Sequence, residues 1–131
     1  MRLWLARLLI GIVTAWNLQA ALAFLISPAA FAPGFELSGP SGAAAVRGIA
    51  ILFVMWNVPY LVAAWQPRRH RMALLEALAM QSIGVIGETG ILLRLPSAHP
   101  VLQNSIQRFI LFDASGLLAL GLAFWLARKQ E

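Results

Sequence analysis

No cysteine occurs in this chain, which removes disulfides, thiol catalysis and cysteine-ligated metals from anything one copy does alone. Charge is scarce too. Only 11% of the 131 residues are charged, against 60% hydrophobic, and mean hydropathy is +0.77. A soluble domain of this size needs far more charge to keep its surface wet. Histidine is confined to His70 and His99, both in expected loops, so neither suits axial ligation of a buried haem or chlorin. Paired histidines at metal-ligand spacing are absent. Gly39-Pro40-Ser41-Gly42 leads into a helix without the lysine of a phosphate loop. Ser82 and Ser115 have no neighbouring histidine to act as base. The sequence therefore assigns no catalytic residue, no metal and no cofactor.

What the chain has in quantity is long apolar runs. Four stretches, Leu3–Ile26, Ala43–Trp65, Met72–Leu95 and Ser105–Ala127, carry nearly all of its hydrophobicity. A helix rises ~1.5 Å per residue and the hydrocarbon core is ~30 Å thick, so ~20 residues make one crossing. Each stretch meets that length. The expectation is an all-α, integral membrane four-helix up-down-up-down bundle, forming a single transmembrane domain over residues 1–131.

Orientation follows from where the positive charge lies. Arg2, Arg7, Arg68, Arg69, Arg71, Arg128 and Lys129 fall at the two chain ends and in the second loop, while the first and third loops hold no Lys or Arg. Under the positive-inside rule both termini are then cytoplasmic, which for a bacterial chain means the inner membrane. The net charge of +5 is accounted for by topology and by contact with anionic lipid head groups, and no nucleic-acid partner is expected. The bias also argues against a dual-topology antiparallel dimer. Trp4, Trp65 and Trp125 sit near the same ends, as an interfacial aromatic belt requires. Arg2, Arg7 and Ala30-Phe31-Ala32 imitate a signal peptide. The apolar run Leu8–Ile26 exceeds the usual h-region, however, so a retained membrane helix is expected.

Between the spans, Pro28 to Gly42 is rich in proline and glycine and is expected to be a connector on the outer interface, or a lid over an outward cavity. Pro59 interrupts the second span and should bend it near Met55; Asn57 is the candidate to satisfy the carbonyl that proline frees. The third loop, Pro96 to Asn104, is short.

With the cytoplasmic charges, Glu36 and the end-lying Glu76 and Glu131 set aside, five charges remain: Arg47, Glu88, Arg94, Arg108 and Asp113, all in the outward half. A charge at the bilayer centre costs ~2.5–3.5 kcal/mol on insertion scales, so the carboxylates should face inward. Glu88 and Arg94, six residues apart, fall on different faces of one helix, and Arg108 and Asp113 are also badly spaced. Pairing is expected between helices, Arg47 with Glu88 and Arg108 or Arg47 with Asp113, at ~4 kcal/mol for ~4 Å and an effective dielectric near 20. Arg94 can snorkel. The cluster is either glue for the bundle or a ligand site. Asn17, Asn57 and Gln81 extend it as polar packing residues, with Gln81 on the face of Glu88. Ser115, Ala119, Ala123 and Ala127 form a small-residue face, and Gly84, Gly87 and Gly90 thin the third span, permitting close approach within the bundle or to another subunit.

Four spans, internal termini, Arg47-Gly48 early in the second span and Glu88 in the third together resemble DoxX-like small bacterial membrane proteins. That resemblance implies an accessory role, some members being associated with quinone-linked or thiol-related oxidoreductase complexes, and carries over no functional residue. Three functions follow as expectations. The first is a non-catalytic accessory or assembly subunit of a larger membrane complex, with other subunits or further copies as partners. The second is a binder or carrier of a lipid or amphipathic anion through the charge cluster. The third is an intramembrane acid–base enzyme such as an isomerase, which requires Glu88 and Asp113 around one cavity.

Overall fold

Small and polar residues recur every three or four positions along each apolar stretch, and the large aliphatics fall between them. That spacing puts one narrow face of each helix inward and a broad greasy face outward. The computed structural model describes residues 1–128, which are mostly helical with no strand among them. Lys129 and Glu131 lie outside the described residues. Helix α1 spans Arg2–Ile26, a single turn α2 spans Pro28–Phe31, and a 3₁₀ turn covers Ala32–Phe35. Then come α3 over Gly39–Trp65, α4 over Arg71–Arg94 and α5 over Pro100–Ala127.

Three of these helices, α1, α3 and α5, are long and apolar enough to cross a membrane. The fourth expected span, α4, is not one of them, because Glu76, Gln81, Ser82, Glu88 and Thr89 dilute its apolar content. Two helices begin earlier than the hydropathy suggested, α3 at Gly39 and α5 at Pro100. In both a proline stands in the first turn, where its missing N–H would have no partner anyway.

The four long helices pack side by side, α1 against α3 and α5, and α4 against α3 and α5. Neighbours run antiparallel. Arg7 near the start of α1 donates from Nε to the Ala64 carbonyl at the end of α3, at 3.2 Å. Arg68, just before α4, donates likewise to Ala127 at the end of α5, at 3.3 Å. Both bonds satisfy terminal helix carbonyls that have no partner inside their own helix.

The interior is layered. At the end holding the N-terminus, Ala6, Ile10, Ala63, Leu74, Ala77, Leu120 and Ala123 form a core whose many alanines let the helices close up. Ala123 and Ala127 are buried there and Ala119 packs against them, so most of the small-residue face of α5 is used inside this chain; Ser115 is exposed. At the opposite end, Phe24, Ala32, Val46 and Ala50 form a second core, with Phe35, Phe53 and Phe109 packed on it. Between the two lies a polar layer.

The connector after α1 is more ordered than its glycines and prolines suggested. It folds over the aromatic end and is tied to α5. Ser105 Oγ donates to the Gly34 carbonyl at 2.6 Å. Glu36, in the left-handed region at φ 55°, accepts from His99 Nδ1 at 2.5 Å and from the Leu102 amide at 3.3 Å. That amide belongs to the first turn of α5, so the carboxylate also meets the positive end of a helix dipole. The His99 bond foremost, with help from the Leu102 amide, holds the Glu36 carboxyl below the ordinary glutamate value of 4.5. The strap is therefore complete above that value and loosens as pH falls through the lowered one. Amide exchange at Leu102, corrected for intrinsic rates, should quicken on acidification in the native chain. In Glu36→Gln that acid-dependent step should vanish.

Candidate functional site

Helical spacing brings the polar layer together. On α3, Asn57 and Tyr60 are three residues apart; on α4, Gln81 and Glu88 are two turns apart; Asn17 comes from α1 and Asp113 from α5. All six line one cavity of about 40 Å³, walled by Phe53, Trp56, Phe109 and Phe112 among others. On the same measure a single water needs ~10–15 Å³, so the chamber fits a small polar group and not a whole organic substrate.

Gln81 is the hub of the chamber. Its Nε2 donates to Asp113 Oδ1 at 3.0 Å and to the Asp113 carbonyl at 3.1 Å, joining α4 to α5. Its Oε1 accepts from the Tyr60 hydroxyl at 2.5 Å, joining α4 to α3; the Ala77 carbonyl lies 3.2 Å from the same hydroxyl. Gln81 and Tyr60 are almost wholly buried, and both ends of the amide are satisfied.

Asn57, also buried, differs. Its Nδ2 donates to the Phe53 carbonyl at 2.7 Å. The reverse amide orientation would set two acceptor oxygens face to face, so the assignment is fixed by chemistry. Oδ1 is left without a donor, and so is Glu88 Oε2; these are the two buried side-chain polar atoms with no partner among the described residues. The chamber thus holds two buried acceptors without donors. Asn57 does not serve the role expected of it at the proline, since it bonds Phe53 and not the Met55 carbonyl.

Two glycines make the network possible. A Cβ on Gly84 would collide with the Asp113 carboxylate, and one on Gly116 would stand 2.7 Å from Gln81 Nε2. Gly84 was expected to allow close approach; Gly87 and Gly90, grouped with it, face open space instead.

The expected arginine–carboxylate pairs do not form. Among the described residues the one ion pair is Glu36 with His99. Arg47, Arg94 and Arg108 are exposed, and none lines the chamber. The reason is geometric: a long guanidinium stem on an outer helix face reaches the boundary more easily than a core already filled by Phe53, Phe109 and Phe112. The five-residue cluster therefore separates into a carboxylate chamber and peripheral arginines.

Arg108 instead lines a second cavity of about 280 Å³, a groove under the connector. Its walls are aromatic: Phe24, Phe31, Phe35, Phe53, Phe109 and Phe112. The rings cross-pack at 4.8–6.4 Å between centroids in offset and edge-on arrangements. Phe53, Phe109 and Phe112 line both cavities, so groove and chamber share a wall.

Sequence reasoning missed Tyr60 and Gly116, although Tyr60 stands one turn from Asn57 and Gly116 one turn from Asp113. Those spacings were the available signal. The connector read as a lid over an outward cavity hinted at the groove, but not at its walls, whose phenylalanines come from α1, the connector, α3 and α5. No protein-family model, curated protein or solved structure matches the chain.

Proposed function

We propose that this chain is a four-span inner-membrane bundle, up-down-up-down with cytoplasmic termini, that binds an amphipathic molecule in its outward half. The membrane part draws support from an inverted surface: Ile12, Leu22, Ile51, Val58, Leu111 and Leu118 are exposed while Asn57 and Gln81 are buried. Water favours the opposite arrangement; hydrocarbon favours this one. Helix α4 fits the pattern as the fourth span, with Ile83, Ile86 and Ile91 exposed and Gln81 and Glu88 turned to the chamber.

One observation carries the ligand reading: an aromatic groove of about 280 Å³ shares three side chains with a chamber that holds two buried, unpaired acceptors, Asn57 Oδ1 and Glu88 Oε2. The matching molecule has an apolar body for the groove and a hydroxyl- or ammonium-bearing head for Asn57 Oδ1 and Glu88. An anionic head fits less well, since of the three outward arginines only Arg108 lines the groove. Acid–base catalysis is the second reading, because Glu88 and Asp113 open on one chamber as such a step requires. An accessory role rests on the scarcity of chain between the spans, the lack of a catalytic set and the small-residue face of α5, of which the last is mostly taken up by internal packing.

Mass spectrometry of organic extracts from protein purified in mild detergent tests the proposal. The native chain should retain a molecule enriched over bulk lipid. Glu88→Ala removes an acceptor, and Phe109→Trp fills the groove. Each should cut retention about tenfold, the equivalent of one charge-assisted hydrogen bond or a comparable packing loss. Equal retention in folded variants, or no enriched molecule in the native chain, would sink the reading.

A further inference from the structure

At the opposite, basic end a third cavity, of about 370 Å³, is lined by Arg68, Arg71, Arg128, Leu74 and Phe124 among others. Two of its guanidinium groups share one aromatic ring: the Arg71 and Arg128 carbons lie 5.2 and 5.1 Å from the Phe124 centroid. Attraction to a ring face offsets part of the mutual repulsion of two cations held so close, yet only part. Arg68 is anchored through Nε to the Ala127 carbonyl at 3.3 Å, which leaves its terminal nitrogens for other partners. No carboxylate among the described residues lies within 4.0 Å of the three.

A fourth source of positive potential converges here. The first turn of α4 starts at Arg71, and its N-cap His70 makes no side-chain cap. The amides of Arg71, Met72 and Ala73 are therefore free of intrahelical acceptors, beside three guanidinium groups. Forked donors around a cavity, with an uncapped helix start beside them, match a phosphate better than a carboxylate, because a tetrahedral anion accepts from several directions at once.

We propose that Arg68, Arg71 and Arg128 form a site for the phosphate of an anionic phospholipid, with the glycerol against Leu74 and Phe124. A lipid is favoured over a soluble phosphate compound by that apolar floor and by the neighbouring Trp65 and Trp125. Both tryptophans are exposed, at 70% and 58%, at the level where indole rings meet head groups. The inference rests on the membrane reading above but not on the chamber or its ligand.

The full chain reconstituted in phosphatidylcholine vesicles containing phosphatidylglycerol, then analysed by native mass spectrometry, provides the test. Arg71→Gln with Arg128→Gln should lower retained phosphatidylglycerol about tenfold, as expected for losing a bidentate charge-assisted contact. Arg2→Gln with Arg69→Gln removes the same charge outside the cavity and should leave retention unchanged. Equal loss in both pairs means diffuse attraction and overturns the site; no loss in the first pair does the same. Inorganic phosphate should fail to displace the lipid; displacement would assign the site to a soluble phosphate and overturn the lipid assignment. Should the glutamine pair fail to fold, Arg71→Lys with Arg128→Lys keeps the charge but loses the fork. It should retain phosphatidylglycerol at a level between the native chain and lipid-free background. Retention equal to the native chain again overturns the proposal. Glu88→Ala should not alter this binding, so failure here and failure of the ligand reading are separable.

Discussion

Gln81→Leu should destabilise the protein by about 2–4 kcal/mol while barely changing side-chain volume. Leucine leaves Asp113 Oδ1 without its donor in a largely closed interior, while the Tyr60 hydroxyl loses its closer acceptor and keeps only the Ala77 carbonyl at 3.2 Å. A single interhelical hydrogen bond inside a membrane is often worth well under ~1 kcal/mol, because the separated helices find other partners. The larger figure comes from stranding a carboxylate oxygen, a charged group whose lost partner costs more than a neutral one's. Tyr60→Phe strands the neutral Gln81 Oε1 instead and should cost less, about 1–2 kcal/mol. Unfolding titrations in mixed micelles measure both. If Gln81→Leu falls within about 0.5 kcal/mol of the native chain, the network contributes nothing to stability.

The second large effect concerns glycine. Gly116→Val should cost about 1–3 kcal/mol through overpacking, because even its Cβ stands 2.7 Å from Gln81 Nε2, and that amide is held by Asp113 and Tyr60. Gly84→Val should behave alike, its Cβ being driven into the Asp113 carboxylate. Gly87→Ala meets nothing within 4 Å and should instead stabilise the helix by about 0.5–1 kcal/mol. The opposite signs can be read from thermal unfolding in detergent. Stabilisation in all three would show that helix propensity governs these positions and the α4–α5 approach does not.

Both predictions depend on helix-to-helix geometry, and that is where sequence and structure part. Helical spacing in the chain already put Gln81 and Glu88 on one face and implied that Glu88 and Asp113 avoid lipid. It did not identify their neighbours. Coulombic reasoning favours arginine opposite carboxylate, yet Gln81 answers Asp113, and Arg47 and Arg94 stay outside. Charge complementarity ranks partners only when both reach the same place. Reach depends on rotation of each helix about its axis and on the bulk of Phe53, Phe109 and Phe112. The same limit explains the small-residue face of α5: the spacing of Ala119, Ala123 and Ala127 announced a close contact but not whose.

By itself, then, the sequence determined the helical class, the lengths of the long helices to within about five residues, and that Asn57 and Gln81 turn inward. Each follows from local periodicity and the cost of placing polar groups in an apolar medium. Only the tertiary structure decided that α4, the least apolar of the long helices, completes the polar layer. It alone showed that the connector straps onto α5 through Glu36, and that six residues from four helices enclose one chamber. Those outcomes depend on the mutual rotation and depth of packed helices, quantities that no single helix encodes.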